Sequence, residues 1–217
     1  VDGMVIGDPR RDDPRFTLVQ ETAMPFVSLG WPPERTTMPV LVFDESKAIT
    51  DVVEHLVALG HRRIAQVVGP QGAPSARLRR ELYQKRLRER GIDDSWWIES
   101  DYTATGGRVA TEQLFATQPY PTAIVYSNDL MAIAGMRVAF ARGLQVPADV
   151  SIVGWDDITV AQYLHPALST VAQHPFDDGR QAATLLLEAI NGREFIEPIW
   201  TPNPRFVARE SSGPAPA

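Results

Sequence analysis

Short β-branched or apolar runs alternate with longer stretches of helical period along almost the whole chain. The strand-like runs fall at residues 1–7, 25–29, 40–43, 63–68, 96–99, 121–126, 150–153, 168–172, 199–201 and 206–209. Helical patterns fall among them at 14–23, 46–59, 76–90, 105–117, 128–142 and 176–191. A strand followed by a helix pairs in parallel with a later strand through a crossover, which lays the helix on a sheet face. The alternation therefore predicts an α/β fold of doubly wound parallel sheets covered on both faces. The stretch 46–59 carries the helical signature clearly: Ile49, Val52, Val53, Leu56 and Leu59 recur along one stripe, and Gly60 stands where a helix ends.

Composition narrows the function more than the fold. The 217 residues suffice for one large domain or two small ones, and a hydrophobic content of 44% supplies a core. A net charge of −6 does not make a duplex-binding surface. The absence of cysteine removes disulfides, thiolate metal sites and cysteine nucleophiles. His55, His61, His165 and His174 lack ligand-like spacing, so no metal site is expected. No apolar run is long enough to cross a membrane. Neither a Gly-rich phosphate loop nor a G-x-S-x-G elbow occurs. The paired acids Asp12-Asp13, Asp93-Asp94, Asp156-Asp157 and Asp177-Asp178 are sequence neighbours that do not share a catalytic geometry. No enzymatic activity and no cofactor are expected. Gly106-Gly107, inside a helical pattern, reads as a close helix contact.

Candidate binding groups come from strand tips. Val150 to Val153 is a buried-strand pattern ended by Gly154, so Asp156 stands just past a carboxyl end, where ligands of open α/β sheets bind. The alternative is an Asp that caps a helix near Ile158. Asn128 opens a helix after the run 121–126, either as an N-cap or as a cleft residue. Tyr102 stands at the mouth after the run 96–99, as a stacking or a packing aromatic. Arg77, Arg79 and Arg80 lie in the first turns of a helix with Ser75 as N-cap, where cations oppose the helix dipole. Such a cluster is borne more readily if one arginine has an anionic partner or a ligand.

Several phrases belong together: Val1-Asp-Gly-Met-Val-Ile6, His55-Leu-Val-Ala-Leu-Gly-His-Arg-Arg-Ile64, Pro121-Thr-Ala-Ile124 with Asn128-Asp129, Val146-Pro-Ala-Asp-Val-Ser-Ile-Val-Gly154 with Asp156-Asp157, and Arg209-Glu-Ser211. In order and spacing they resemble the lactose/galactose repressor (LacI/GalR) family. The resemblance implies the effector-binding domain of a bacterial transcription regulator, periplasmic-binding-protein-like, with two α/β subdomains joined by three crossovers. It assigns residues 1–42 and 173–198 to an N-terminal subdomain lacking its first two β/α units. Residues 43–172 and 199–212 go to a C-terminal subdomain, and 213–217 to a tail; residues 211–217 read as disordered. It implies a small-molecule effector, commonly a sugar, held in the cleft between the subdomains, a homodimer, a cytoplasmic location, and operator DNA contacted through a helix-turn-helix that these residues do not contain. By correspondence with the family's motifs, Arg79, Asp156 and Asn128 are effector-binding residues, Tyr102 is the stacking aromatic, and Gln173 is a polar residue at the second crossover. Leu82, where the family usually has glycine, and Lys47, where a small residue is common, are departures. The run 1–7 reads as a strand whose neighbour lies upstream, so a longer native chain is expected.

Two rivals remain at this stage. A secreted solute-binding protein of the same fold would be monomeric, with a leader in place of a helix-turn-helix. An α/β enzyme of another lineage would need a catalytic constellation.

Overall fold

The computed structural model describes residues 2–10, 12–32, 34–92 and 96–216; Val1 and the Asp93-Asp94 pair lie outside them. The chain packs as two units, one of residues 1–44, 72–75 and 174–203, the other of residues 45–71, 76–173 and 204–217.

The first unit is built on a four-stranded sheet. Strands β1 (Met4–Gly7), β2 (Phe26–Leu29) and β3 (Val40–Val42) run parallel in that spatial order. Helix α1 (Pro14–Glu21) is capped by Asp13, whose carboxylate accepts from the Arg15 amide, and buries Phe16 and Val19. Phe16 meets Phe26 edge to face at 5.5 Å. On the other face Val27 and Leu41 pack with Ala182, Leu185 and Ala189 of a C-terminal helix, Pro175–Ile190.

The second unit is larger. Helix α2 (Ser46–Ala58) buries Ala48, Ile49, Val52, Val53 and Leu56 and ends at Gly60, whose φ of +91° is a left-handed conformation that glycine adopts without strain. Strands β4 (Ile64–Val68), β5 (Trp96–Glu99), β6 (Ala123–Tyr126) and β7 (Ser151–Val153) form a parallel sheet of order β5-β4-β6-β7. Alternate residues serve opposite cores. Ile64, Ala123, Val125 and Val153 face α2 and α3 (Pro74–Glu89), whereas Ala65, Val67, Ile124, Tyr126 and Ile152 face α4 (Ala104–Leu114) and α5 (Asp129–Ala141). A short 3-10 helix, Thr159–Tyr163, precedes β8 (Thr170–Ala172). The Pro175–Ile190 helix is α6, followed by β9 (Ile199–Trp200) and β10 (Arg205–Val207). Strands β8 and β10 pair antiparallel as a separate ribbon.

Parallel sheets with helices on both faces are therefore present, as the alternation predicts. Three expectations change. Ile199 and Trp200 belong to the first unit: they pair with Leu41 and Val42 of β3, and Ile199 joins that core. The chain leaves this sheet after Asn203, not before Ile199; a two-residue strand has too little period to reveal its sheet. Ser75 is not an N-cap, because α3 already begins at Pro74, and its hydroxyl donates to Asp8 Oδ1 at 2.6 Å. Residues 211–216 are ordered: Ser211 is fully buried, the Gly213 carbonyl accepts from the buried His61 ring at 3.0 Å, and the Ala215 amide donates to Leu59 O. Finally, Leu82 is accommodated, half-buried against the α2–α3 core, while Lys47 simply pairs with Asp51 on the surface.

Gly107 is the close helix contact anticipated. A Cβ there would stand 2.5 Å from Met131 Cα and 2.8 Å from Met131 O, on a backbone that cannot yield. Gly179, on α6, has no atom within 4 Å of its would-be Cβ. Gly107→Ala is thus expected to lower stability by about 1–3 kcal/mol through overpacking. Gly179→Ala is expected to raise it by up to about 1 kcal/mol through helix propensity. Urea unfolding of the two variants checks the opposite signs.

Candidate functional site

The carboxyl ends of β4, β5, β6 and β7 lie along one edge of the second unit's sheet, and the residues just beyond them form the candidate site. From β7 come Trp155, Asp156 and Asp157. From β6 come Ser127 and Asn128, from β5 Tyr102, and from β4 Gly69. Arg79 reaches the same edge from α3: its guanidinium donates to Ser127 O at 3.2 Å and lies over the Trp155 ring, 4.0 Å from its centroid.

Arg79 has an anionic partner within its own unit. Its Nε donates to Glu45 Oε2 at 2.8 Å, and its Nη2 closes a second bond to Glu45 Oε1. Both side chains are largely buried, at 11% and 18% exposure. Burial works against the Arg79 charge, but Glu45 more than offsets it and holds the guanidinium protonated more firmly than usual. Glu45 was not singled out in the sequence. Its signal is indirect: first-turn arginines need an anion, and an acid just ahead of α2 makes no cap hydrogen bond.

Asp156 does not cap a helix. The 3-10 helix after it, Thr159–Tyr163, has Ile158 at its N-cap position and no side-chain cap. One carboxylate oxygen, Oδ1, accepts from Gln173 Nε2 at 2.6 Å; Oδ2 has no hydrogen-bond partner among the described residues. The backbone carries strain: φ is +122° at Asp156 and +57° at Asp157, a run of left-handed residues that side chains other than glycine rarely adopt. The Asp156 amide donates to Val171 O at 2.9 Å, and Asp157 pairs with Arg209 at 2.7 Å. Burial pushes the Asp156 carboxyl up to about 6; Asp129 repulsion adds to this, and the Arg79 charge and the Gln173 bond oppose it. Arg79 and Asp156 thus share one edge and sense each other's charge, and Gln173 joins them.

Asn128 and Tyr102 are placed differently. Asn128 Oδ1 caps α5 by accepting from Met131 N at 2.9 Å, and its amide donates to Tyr102 O at 2.8 Å. Its N-cap reading is the one the geometry realises. Tyr102 has a φ of +65°, and its ring lies so close to Gly69 that a Cβ there would stand 2.1 Å from Cζ. Asp129, at the head of α5, is fully buried and accepts from Thr170 Oγ1 and Ile158 N; burial raises its carboxyl pKa. It ties the β7 tip to α5. Among the described residues no cluster of acids and histidines could hold a metal ion.

Comparison with known proteins gives the edge a context. A family model described as a periplasmic binding protein-like domain matches residues 53–212. A LacI family transcriptional regulator from Bifidobacterium animalis subsp. lactis superposes with a TM-score of 0.89 at 32% identity, covering 99% of this chain and 79% of that one. The chain is a periplasmic-binding-protein-like domain of the LacI family. Among its relatives in this family, the transcriptional regulator CelR of Thermobifida fusca is 34% identical over 204 residues, 92% of this chain and 59% of the relative. The repressor CytR of Escherichia coli is 32% identical over 195 residues, 89% of this chain and 57% of the relative. The chain therefore spans somewhat over half the length of these LacI-family relatives. A solved CelR–cellobiose complex superposes with a TM-score of 0.88 at 31% identity, covering 97% of this chain and 66% of that one.

The Asp156 shift has a measurable consequence. A carboxyl whose native pKa is raised from 3.8 to about 6 binds its proton more tightly in the folded chain. Stability therefore falls as pH rises from about 4 to about 6 and stays lower above that. Asp156→Asn is expected to stabilise the chain at pH 7.5 by at most about 3 kcal/mol, since each pKa unit corresponds to about 1.4 kcal/mol. The gain should vanish below pH ~4. Urea midpoints from pH 4 to 8 measure it; an equal effect at both ends argues against the burial of this charge.

Proposed function

We propose that this chain is the effector-sensing domain of a bacterial LacI-type transcription regulator and takes a small carbohydrate at the carboxyl edge of the second unit's sheet. The observation that carries the reading is Asp156: a half-buried carboxylate on a strained strand tip, one oxygen fixed by Gln173 and the other without a donor among the described residues, within electrostatic reach of the Arg79 guanidinium. Backbone strain and a partly desolvated charge persist at a site where they serve binding. Asp156 accepts from ligand hydroxyls, Arg79 donates to ligand oxygens, and Gln173 orients Asp156. Tyr102 stacks on the sugar face, and Asn128 holds Tyr102 in place through its carbonyl. No step of this reading is catalytic. The relatives named above are regulators, which favours this reading over a secreted solute-binding protein. The location is cytoplasmic, and effector binding controls the hold on operator DNA exerted by a DNA-binding domain outside this chain.

Exposed apolar side chains support a homodimer built on the second unit. Leu130 and Phe140 on α5 are 51% and 41% exposed, and Tyr163 on the 3-10 helix is 75% exposed. Sedimentation at tens of micromolar should give a dimer, and Leu130→Glu with Tyr163→Glu should give a monomer. The chain itself, with its net charge of −6, should not retain operator duplex at physiological salt.

A thermal-shift screen against mono- and disaccharides, cellobiose among them, tests the effector site, because a ligand that binds only the native state raises its stability. Hydrogen bonds to charged groups contribute roughly 1.5–3 kcal/mol each. Asp156→Asn and Arg79→Lys should therefore weaken the bound sugar about 10- to 100-fold while the fold persists. Arg79→Ala is the poorer probe, because leaving Glu45 buried without its partner costs about 3–5 kcal/mol of stability. Unchanged affinity in both variants would remove the effector assignment.

A further inference from the structure

We infer that Glu45 makes this edge selective for an uncharged polyhydroxylated effector over its acidic or phosphorylated counterpart, by neutralising Arg79 from within. The inference rests on the effector reading above and names the ligand class that the same groups accept.

A guanidinium has five N–H groups. Nε and one N–H of Nη2 go to Glu45, and one N–H of Nη1 goes to Ser127 O. The other two, one on each terminal nitrogen, have no acceptor among the described residues. They are enough to hold ligand oxygens, but they no longer carry an uncompensated charge. Glu45 contributes one negative charge against the one positive charge of Arg79, and Asp156 adds another above its pKa. The edge is thus net negative although it contains an arginine. Because Arg79 and Glu45 are mostly buried, at 11% and 18% exposure, water and salt screen these charges weakly.

Two features keep Glu45 in place. It stands at the N-terminal end of α2, where the helix dipole favours a carboxylate. Its two oxygens also bind Arg79 in a fork, the geometry that a monodentate ligand oxygen displaces least readily. An incoming carboxylate or phosphate therefore meets an arginine already paired.

The acceptor side gives the same answer. Asp156 Oδ2 lacks a donor among the described residues, and its ionised form is acceptor-only. A hydroxyl supplies the missing proton, and its oxygen can in turn accept from Arg79. A ligand carboxylate at neutral pH has no proton to give and adds repulsion to Asp156. A site built to meet a hydroxyl rejects a group that cannot donate, because the half-buried carboxylate then loses water without gaining a donor.

Matched sugar pairs test this by titration calorimetry at pH 7.5 on the 217-residue chain. The probes are glucose with glucuronate, galactose with galacturonate, and cellobiose with cellobionate. For whichever neutral sugar binds, its acid is expected to bind at least tenfold more weakly. In Glu45→Gln, where the amide oxygen still accepts from Arg79, that ratio should shrink at least tenfold; in Glu45→Asp, which keeps the charge, it should persist. An acid that binds wild-type protein as tightly as its neutral partner overturns the inference and leaves the effector site standing. A ratio unmoved in Glu45→Gln removes Glu45 as its cause. If Glu45→Gln does not fold, the wild-type ratio still decides whether anions are excluded. A neutral sugar indifferent to Asp156→Asn, or no binding in either arm, overturns the effector reading itself.

Discussion

Strands β4 and β6 are covered on both faces, and most of the second unit follows from that. Every residue from Ile64 to Val68 and from Ala123 to Tyr126 is buried. A strand so placed has no solvent face, as in parallel sheets whose crossover helices cover both faces, and its neighbours here pair in parallel. The four carboxyl ends then lie together at one edge, and the loops that leave them gather residues distant in sequence. Arg79, Asn128 and Asp156 meet there for this reason, and Glu45 joins them from the start of α2 through its fork to Arg79. The local backbone is also protected: Asp129 accepts from Ile158 N and Thr170 Oγ1, so the turn after β7 is tied to α5 by a buried carboxylate.

At that edge the electrostatics are poised rather than relaxed. A surface arginine pair contributes little to stability, whereas the Arg79–Glu45 pair is mostly withdrawn from water and depends on its fork geometry and on the Trp155 ring beneath it. Asp156 has no such compensation. Among the described residues its carboxylate has a single hydrogen bond, on a backbone in an unfavourable region. Arg79 is thus satisfied by the fold, and Asp156 is the group left wanting a partner. A binding edge with this asymmetry asks more of its ligand's donors than of its charge.

Much of this was legible in the sequence, and the gaps have physical reasons. Helical stripes and β-branched runs locate the major elements because burial imposes their period, as in α2 and β4. Asn128 reads as a cap from its type and place, and Gly107 as a helix contact from a glycine inside a helical pattern. Asp156 reads as a strand-tip carboxylate for the same local reason. Glu45 does not, because its role depends on an arginine 34 positions away, and no local pattern encodes that pairing. Strand β9 was assigned to the wrong unit because two residues carry no period. The C-terminal residues looked disordered by composition, yet Ser211 and Gly213 are held by long-range bonds to Ile152 and His61.

The β8–β10 ribbon explains how an unfavourable tip survives. Asp156 has two liabilities, a strained φ and a partly desolvated charge, and the ribbon answers both. Val171 O takes the Asp156 amide, and Ala172 bridges to the same residue, so the backbone is pinned from β8. The next residue along, Gln173, delivers the one hydrogen bond that the carboxylate receives among the described residues. From the other strand, the chain past β10 brings Arg209 to Asp157, which compensates the second acid and leaves the first alone. Arg209 is itself fixed by Leu168 O and by the Ser169 hydroxyl, so its position is not adjustable. The antiparallel ribbon, which lies outside the parallel sheet, is thus the element that separates the roles of two adjacent aspartates. It neutralises Asp157 as structure and keeps Asp156 charged, oriented and half-satisfied, which is the state a hydroxyl-bearing ligand completes.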